Sequence, residues 1–467
     1  MTIIRSFITQ KLGIDKAIFF TLLGRGLQIG TALFTVLFIA RYLSPEEQGY
    51  YYTFGSIVAV QVFFELGLTG IITQFVAHEA SHLKITDSFE LEGEEKYKSR
   101  LSSLLRFCTK WYLIFSAILL VALSIAGIAF FTGYEAEHQN IEWRLPWILL
   151  AVGTAFNLLL SPVMAFIEGL GKVKEIAQIR LVQQVIHPIV VWGGLAIGSK
   201  LFVSGADAIL RVLVVGLIIL KSPFFKLLKN IWVYQQEERV SYMQEIFPYQ
   251  WRIALSWISG YFIFQLFNPV LFATEGAKVA GQMGMTLAAL NGLQALTQSW
   301  INTKVPRLSG LIAQQKYEEL DSLFYKTMKQ MMLIGIASLL AFILVIYLIQ
   351  LYDFEPFGMD IGGRFLPIVP LMLMAWATFT MFPINCWATY LRCHKQEPLL
   401  ANSVTIGILC CLSTLILGNW YGLYGMVIGF ACLRFVSLTW IYKVFKKKKD
   451  EWHRKSAIVV DMHSDVE

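Results

Sequence analysis

Long apolar runs recur along the whole chain, separated by short polar breaks. Twelve of them lie near residues 17–40, 51–76, 111–131, 146–166, 181–199, 203–220, 252–273, 279–302, 331–351, 365–390, 399–417 and 420–442. As helices rising about 1.5 Å per residue, they can each cross ~30 Å of hydrocarbon. The pattern predicts an all-α integral membrane protein with about 12 transmembrane helices. The first run lacks a small-residue cleavage site and is too long for a signal-peptide core, so it reads as a retained helix. The intervening loops alternate between short ones and a longer set that includes 77–110, 221–251 and 303–330.

Composition agrees, with 56% hydrophobic and 15% charged residues, against roughly 25% charged in soluble domains. The position of the charge adds an orientation. Of the 39 Lys and Arg, only Arg41, Arg144, Lys200, Lys278 and Arg364 fall in the short loops, and Arg25, Arg211 and Arg434 fall inside runs. The rest occupy the other set of loops and both termini, which predicts N-in, C-in topology. The net charge of +7 follows from the same bias. Lys446 to Lys449 form a basic stretch suited to anionic membrane lipids at the cytoplasmic face, and no nucleic-acid role is expected. The six Cys lie in apolar runs or at their ends and give no disulfide framework. Cys393-His394 offers too few ligands for a metal, and no cofactor is expected.

The two halves echo each other. "ARYLSPEEQGYYYTFGSIVAV" follows the first run and "FATEGAKVAGQMGMTLAAL" the seventh; each has a short turn leading to a Gly, Gly49 or Gly281, that opens the next run. "KYKSRLSSLLRFCTKWYLI" (96–114) and "KYEELDSLFYKTMKQMMLI" (316–334) then match at Lys, Tyr and the closing Leu-Ile. This predicts two pseudo-symmetric six-helix lobes, residues 1–230 and 231–467, the build of many transporters.

Polar residues stand in stripes inside the runs. The first run carries Thr21, Arg25, Gln28, Thr31 and Thr35, at spacings that put them on one helical face. The second carries Gln61, Glu65 and Thr69, the seventh Tyr261, Gln265 and Asn268, and the eighth Asn291, Gln294, Gln298 and Asn302. Either these are hydrogen bonds between helices or they line a shared wet cavity. Glu65 is the most costly of them, worth at least a few kcal/mol near a bilayer centre. Arg25, ~12 Å from the inner end of its run, and Glu65, ~16 Å from the inner end of its own, lie at depths that allow a pair. Arg211 has Asp207 four residues earlier and can be satisfied locally. Arg434 has no carboxylate within a turn and either snorkels or faces the cavity. His187 precedes Pro188 and is either a satisfied His at a kink or a proton carrier.

The first hairpin carries a resemblance. "LGRGLQIGTALFTVLFIARYLSPEEQGYYYTFGSIVAVQVFFELGLTGIITQFVAHE" (23–79) resembles the N-terminal region of polysaccharide flippases. These are the Wzx-type members of the multidrug/oligosaccharidyl-lipid/polysaccharide (MOP) exporter superfamily. The resemblance implies a MATE/MOP-like V-shaped pair of six-helix bundles around a central cavity. It also implies alternating-access transfer of an undecaprenyl-diphosphate-linked oligosaccharide from the inner to the outer leaflet of the bacterial inner membrane, for surface polysaccharide such as O-antigen. In such proteins cavity cations engage the diphosphate. Arg25 matches that position, and Arg211, Arg252 and Arg434 are further candidates. The carboxamides of Asn291, Gln294 and Gln298, with Tyr261, would bond sugar hydroxyls, and Gln28, Gln61, Gln265 and Asn268 are further candidate substrate contacts. Glu65 would either satisfy Arg25 or release it to phosphate. A functional monomer is expected, and coupling to H⁺ or Na⁺ stays open. The alternative within the superfamily is a MATE-like multidrug or cation antiporter, which needs acidic cavities. A polytopic glycan enzyme is disfavoured, because no long outside loop and no Asp-x-Asp or His cluster is present.

Overall fold

The computed structural model describes residues 16–86, 89–135, 141–234, 238–355, 358–394 and 398–464, without the side chains of 16–19, 21, 22, 25, 29, 33 and 454–464. Arg25 therefore has a place on its helix, but its side chain and any pairing with Glu65 lie outside the described residues. The chain is all-α apart from a two-stranded antiparallel ribbon, β1 (Leu83–Ile85) with β2 (Leu91–Gly93). Among the described residues nine helical stretches are long and apolar enough to cross a membrane, which makes this a multi-pass membrane protein. It forms two compact units, Met1–Ile258 and Ser259–Glu467.

In the first unit α1 (Lys16–Tyr42) turns into α2 (Pro45–Val58) at Ser44. The turn forms because Ser44 and Glu47 make a reciprocal capping box: Glu47 N–H donates to Ser44 Oγ at 3.1 Å and Ser44 N–H to Glu47 Oε2 at 2.8 Å. Pro45 sits where its missing N–H costs nothing. Lys200, from a distant turn, adds an ion pair to Glu47 at 2.8 Å, and that bond holds its ammonium above the ordinary lysine range. There follow α3 (Val62–Glu65), α4 (Leu68–Ala80), α5 (Glu95–Thr132), α6 (Arg144–Gly169), α7 (Val173–Ala196), α8 (Phe202–Lys221) and the short α9 (Pro223–Val233). Tyr50, Phe54, Phe131, Trp143 and Trp147 stack into one aromatic core, with Trp147 Nε1–H bonded to Leu123 O at 3.0 Å. At the other end of α6 to α8, Ile167, Ile176, Ile179, Val215 and Ile219 form a second core.

Helix α10 (Phe247–Phe264) contains the divide between the units, and α11 (Phe267–Glu275), α12 (Ala277–Asn302), α13 (Val305–Ala313), α14 (Tyr317–Leu351), α15 (Ile368–Cys393) and α16 (Leu400–Ser464) complete the chain. Phe324, Tyr390, Trp387 and Phe445 pack α14, α15 and α16 together. Residues 400–464, labelled α16, are two helices that meet at Gly422, whose φ of 57° and ψ of −140° suit glycine alone. The Glu275 carboxylate fills the space a side chain would take there and accepts the Leu423 N–H.

Several predicted boundaries move. The run 111–131 is the end of a 38-residue helix and 331–351 the end of a 35-residue helix, so the two matched basic stretches both open long helices rather than lying apart from them. The last two runs remain two helices that meet at Gly422, and the second continues through the lysine cluster. There Lys449 pairs with Asp321 at 2.6 Å and Lys448 with Glu451 at 2.8 Å, so two of the four lysines have partners within the protein.

Candidate functional site

The run 51–76 is not a continuous helix. After a 3-10 turn at Ala59–Gln61 and the single turn of α3, Leu66 and Gly67 both take left-handed backbone, with φ of 49° and 67°. Gly67 is the residue that permits this. Its φ is one that side-chain-bearing residues rarely adopt, and a Cβ would strike Ile253. The break strips Glu65 of the neighbours a continuous helix would give it, yet the carboxylate still accepts the Thr69 hydroxyl at 2.6 Å. The i, i+4 stripe expected of Gln61, Glu65 and Thr69 survives only in that one bond. On α1, by contrast, the threonines bind helix to helix. Thr35 is buried, bonds Thr31 O at 2.8 Å and accepts Trp192 Nε1–H at 3.0 Å. Gln28 is exposed on the same helix.

Two charged clusters lie in this unit. Asp207, 4% exposed, receives Arg211 Nη2 at 2.7 Å and His187 Nδ1 at 3.0 Å on the same oxygen. Arg211 is therefore engaged one turn away, as its spacing suggests. His187 is satisfied without a break at Pro188, since α7 runs on through the proline. The second cluster joins elements far apart in sequence. Arg100 on α5 bonds Glu79 Oε1 at the end of α4 through Nε and Nη2, each at 3.0 Å, and Glu245 Oε2 through Nη2 at 2.5 Å. Around it the segment before α10 is fastened to α5: Ser102 donates to Tyr234 O at 3.1 Å, Glu238 N to Ser99 Oγ at 2.9 Å, and Arg106 to Trp232 O. Sequence reasoning missed this clasp, because no spacing rule links residues 21 and 145 positions apart. Arg252 is exposed and lies over the Trp251 ring at 5.3 Å.

In the second unit the run 252–273 also breaks, at Gln265 and Leu266. Pro269 explains the position: it has no N–H for the carbonyl four residues back, which belongs to Gln265. Tyr261 and Gln265 flank this break, and Asn268 is buried just beyond it. On α12, Asn291 is exposed and Gln294 and Gln298 half-buried, with no side-chain hydrogen bond among the described residues. Gln282 and Thr286 on the same helix instead hold the loop before α15, by bonds to Gly363 O at 2.9 Å and from Leu366 N at 3.1 Å. Arg434 is 4% exposed. It neither snorkels nor faces open water; its recorded partner is the Met381 sulfur, and its Nε has none.

No protein-family model and no curated protein matches the sequence. Solved structures do. The chain is similar to an inward-facing conformation of a multidrug resistance MATE family transporter of the MOP superfamily, at 12% identity over 95% of this chain and 100% of that one, with a TM-score of 0.70. It is similar to the lipid II flippase MurJ in an inward closed conformation, at 13% identity over 96% and 91%, TM-score 0.60. It is also similar to the MATE multidrug transporter DinF-BH, solved as a complex, at 13% identity over 92% and 94%, TM-score 0.57. The fold is that of the MOP transporters.

The expected repeat would pair runs one and two with seven and eight; among the described residues, runs two and seven are interrupted. Each break has its own local cause, Leu66-Gly67 in one unit and Pro269 in the other. The charges are also handled differently. Among the described residues, the buried carboxylates of the first unit have hydrogen-bond or ionic partners, while the buried Arg434 of the second has no carboxylate partner.

Proposed function

We propose that the protein is a MOP-type transporter, and that it moves an undecaprenyl-diphosphate-linked oligosaccharide from the cytoplasmic to the outer leaflet of a bacterial cytoplasmic membrane by alternating access. In this reading it has twelve spans, both termini inside, and works as a monomer. The observation that carries it is the state of the intramembrane charges. Asp207 is occupied by Arg211 and His187, Glu65 by Thr69, and Arg434 stands without an acid. A site for cationic drugs needs an available carboxylate; a site for a diphosphate needs cations. Arginine suits phosphate because its charge is permanent and its donors form a planar fork.

Arg25 and the exposed Arg252 are the proposed diphosphate contacts, with Arg211 available only after Asp207 releases it. The exposed Gln28, with Asn291, Gln294 and Gln298, offers amide groups as the proposed contacts to sugar hydroxyls. Tyr261, Gln265 and Asn268 gather at a helix break, where freed backbone groups also seek partners. A diphosphate diester carries about two negative charges, so outward transfer gains ~4–5 kcal/mol per 100 mV of inside-negative potential, at ~2.3 per charge. The potential alone can drive export.

The likeness to MATE multidrug transporters keeps a drug antiporter as the second reading. A deletion strain separates the two. Lipid-linked oligosaccharide that accumulates in the inner leaflet supports the proposal. Unchanged lipid intermediates together with sensitivity to cationic dyes would favour the antiporter.

A further inference from the structure

The lysine stretch 446–449 is the expected contact with anionic lipid, yet Lys448 and Lys449 are spent on Glu451 and Asp321. Another basic segment keeps its charges. Between Asp207 and Glu237 the chain has no acidic residue, and it carries Lys221, Lys226 and Lys229, all exposed. None of these three lysines has an ion-pair partner among the described residues.

The segment is an elbow. The membrane-length helix α8 ends at Lys221. Ser222 is extended, with ψ of 158°, and Pro223 opens α9. One side of α9 is committed to the protein: Leu227 and Ile231 are buried, and Phe224 and Leu228 pack on the second core. Asn230 Nδ2 donates to Phe89 O at 3.1 Å and Arg106 to Trp232 O, which hold the helix in place. The other side presents Phe225 and Trp232, 47% and 37% exposed, together with Lys226 and Lys229. Apolar rings and lysines on one outward face suit a helix lying in a membrane interface.

A groove of about 440 Å³ opens at this elbow, lined by Val214, Leu217, Ile218, Lys221 and Ser222. The first four recur at i, i+3, i+4 and i+7, so they form one stripe of α8, about 10 Å long. The stripe is apolar along the span and ends on an ammonium. Ser222 Oγ–H already bonds Ile219 O at 2.7 Å, so Lys221 brings the charge to the groove. Apolar length with a cation at one end complements a phospholipid, whose chain is apolar and whose phosphate is anionic. A soluble phosphate compound would leave the apolar stripe unused. A zwitterionic headgroup carries its own cation, so three lysines without acids favour a lipid of net negative charge.

We propose that this elbow binds an anionic phospholipid, with an acyl chain along Val214, Leu217 and Ile218 and the phosphate on Lys221, while Lys226 and Lys229 add to the attraction. The site lies within the first unit and uses none of the proposed substrate contacts, and its test requires no transport.

The experiment titrates the purified full-length protein in detergent with dioleoylphosphatidylglycerol or dioleoylphosphatidylcholine and counts retained lipid by native mass spectrometry. The wild type should hold its first phosphatidylglycerol about tenfold more tightly than phosphatidylcholine. Lys221→Gln should weaken phosphatidylglycerol about fivefold, the effect of one lysine at an anionic surface, and Lys226→Gln/Lys229→Gln should weaken it further. Leu217→Trp, at an exposed position, fills the groove and should weaken both lipids with every charge in place; it decides the matter if a lysine variant does not fold. Equal retention of the two lipids by the wild type would overturn the proposal. So would phosphatidylglycerol binding that ignores Lys221→Gln and Leu217→Trp, or that falls instead in Lys446→Gln/Lys447→Gln. Displacement of the lipid by millimolar inorganic phosphate would assign the lysines to a soluble anion and equally refute it.

Discussion

Replacing Arg100 with methionine tests the clasp and, through it, the anchoring of the segment that leads into α10. The variant keeps an unbranched apolar stem and deletes only the fork. Glu79 then becomes a carboxylate whose side chain is 4% exposed, with its second oxygen already lacking a partner. Breaking such a buried pair costs about 3–5 kcal/mol, because one charge stays behind uncompensated. Glu245 is different. Its side chain is 31% exposed, so solvent screens it and its bond to Arg100 adds at most ~1 kcal/mol. Arg100→Met should therefore destabilise the first unit by roughly two to three and a half decades in unfolding equilibrium, at 1.4 kcal/mol per decade. Glu245→Gln should cost less than one. The decisive comparison is Arg100→Met/Glu79→Gln, which removes both charges and should recover most of the loss. Denaturant unfolding in micelles, followed by tryptophan fluorescence, reads the wild type, these three variants and Glu79→Gln, which completes the cycle. If the single effects simply add in the double variant, Glu79 is not held by Arg100 and the reasoning fails.

Other expectations come from local features. Ser44→Ala removes one half of the capping box and should cost ~1 kcal/mol by thermal unfolding; an unchanged midpoint would leave the motif without a structural role. Gly67→Ala combines a disfavoured φ, worth ~1–2 kcal/mol, with a methyl pressed on Ile253, worth ~1–3 kcal/mol. Adding Ile253→Ala should restore only the second part, and full restoration would contradict the backbone argument. His394, stacked on Trp452 at 3.8 Å between ring centroids, is pushed below the ordinary histidine range by burial. Folding thus favours its neutral form, so its contribution is complete above pH ~6.5 and is lost as pH falls. A His394→Phe variant should flatten the midpoint-versus-pH curve on the acid side; an unchanged slope would count against the stack.

The helical class, the multi-pass character and most helix positions were legible because apolar periodicity and length carry them directly. So was the pairing of Arg211 with Asp207, which is one helical turn. What escaped is non-local or depends on backbone detail. Hydropathy averages over the break at Leu66-Gly67, and glycine in a membrane helix is too common to mark one. Pro269 accounts for the second break, through the Gln265 carbonyl it cannot bond, but proline is too common in membrane helices to have predicted it. Arg100, Glu79 and Glu245 looked like ordinary loop-side charges, since their meeting depends on how α4, α5 and the segment before α10 fold together. Arg434 was legible as an intramembrane charge without a local acid, but not as one sealed beside Met381 and Cys410.

The two halves therefore solve the same electrostatic problem in different ways, despite their related sequence patterns. Among the described residues of the first unit each buried acid is matched: Asp207 by Arg211 and His187, Glu79 by Arg100, Glu47 by Lys200. Matched clusters of this kind cost less to keep in a membrane than a lone charge, and they can exchange partners. A substrate phosphate could thus compete for Arg211 only by displacing Asp207. Among the described residues of the second unit the buried Arg434 has no carboxylate partner, although methionine would fill the same space without the desolvation cost of a charge.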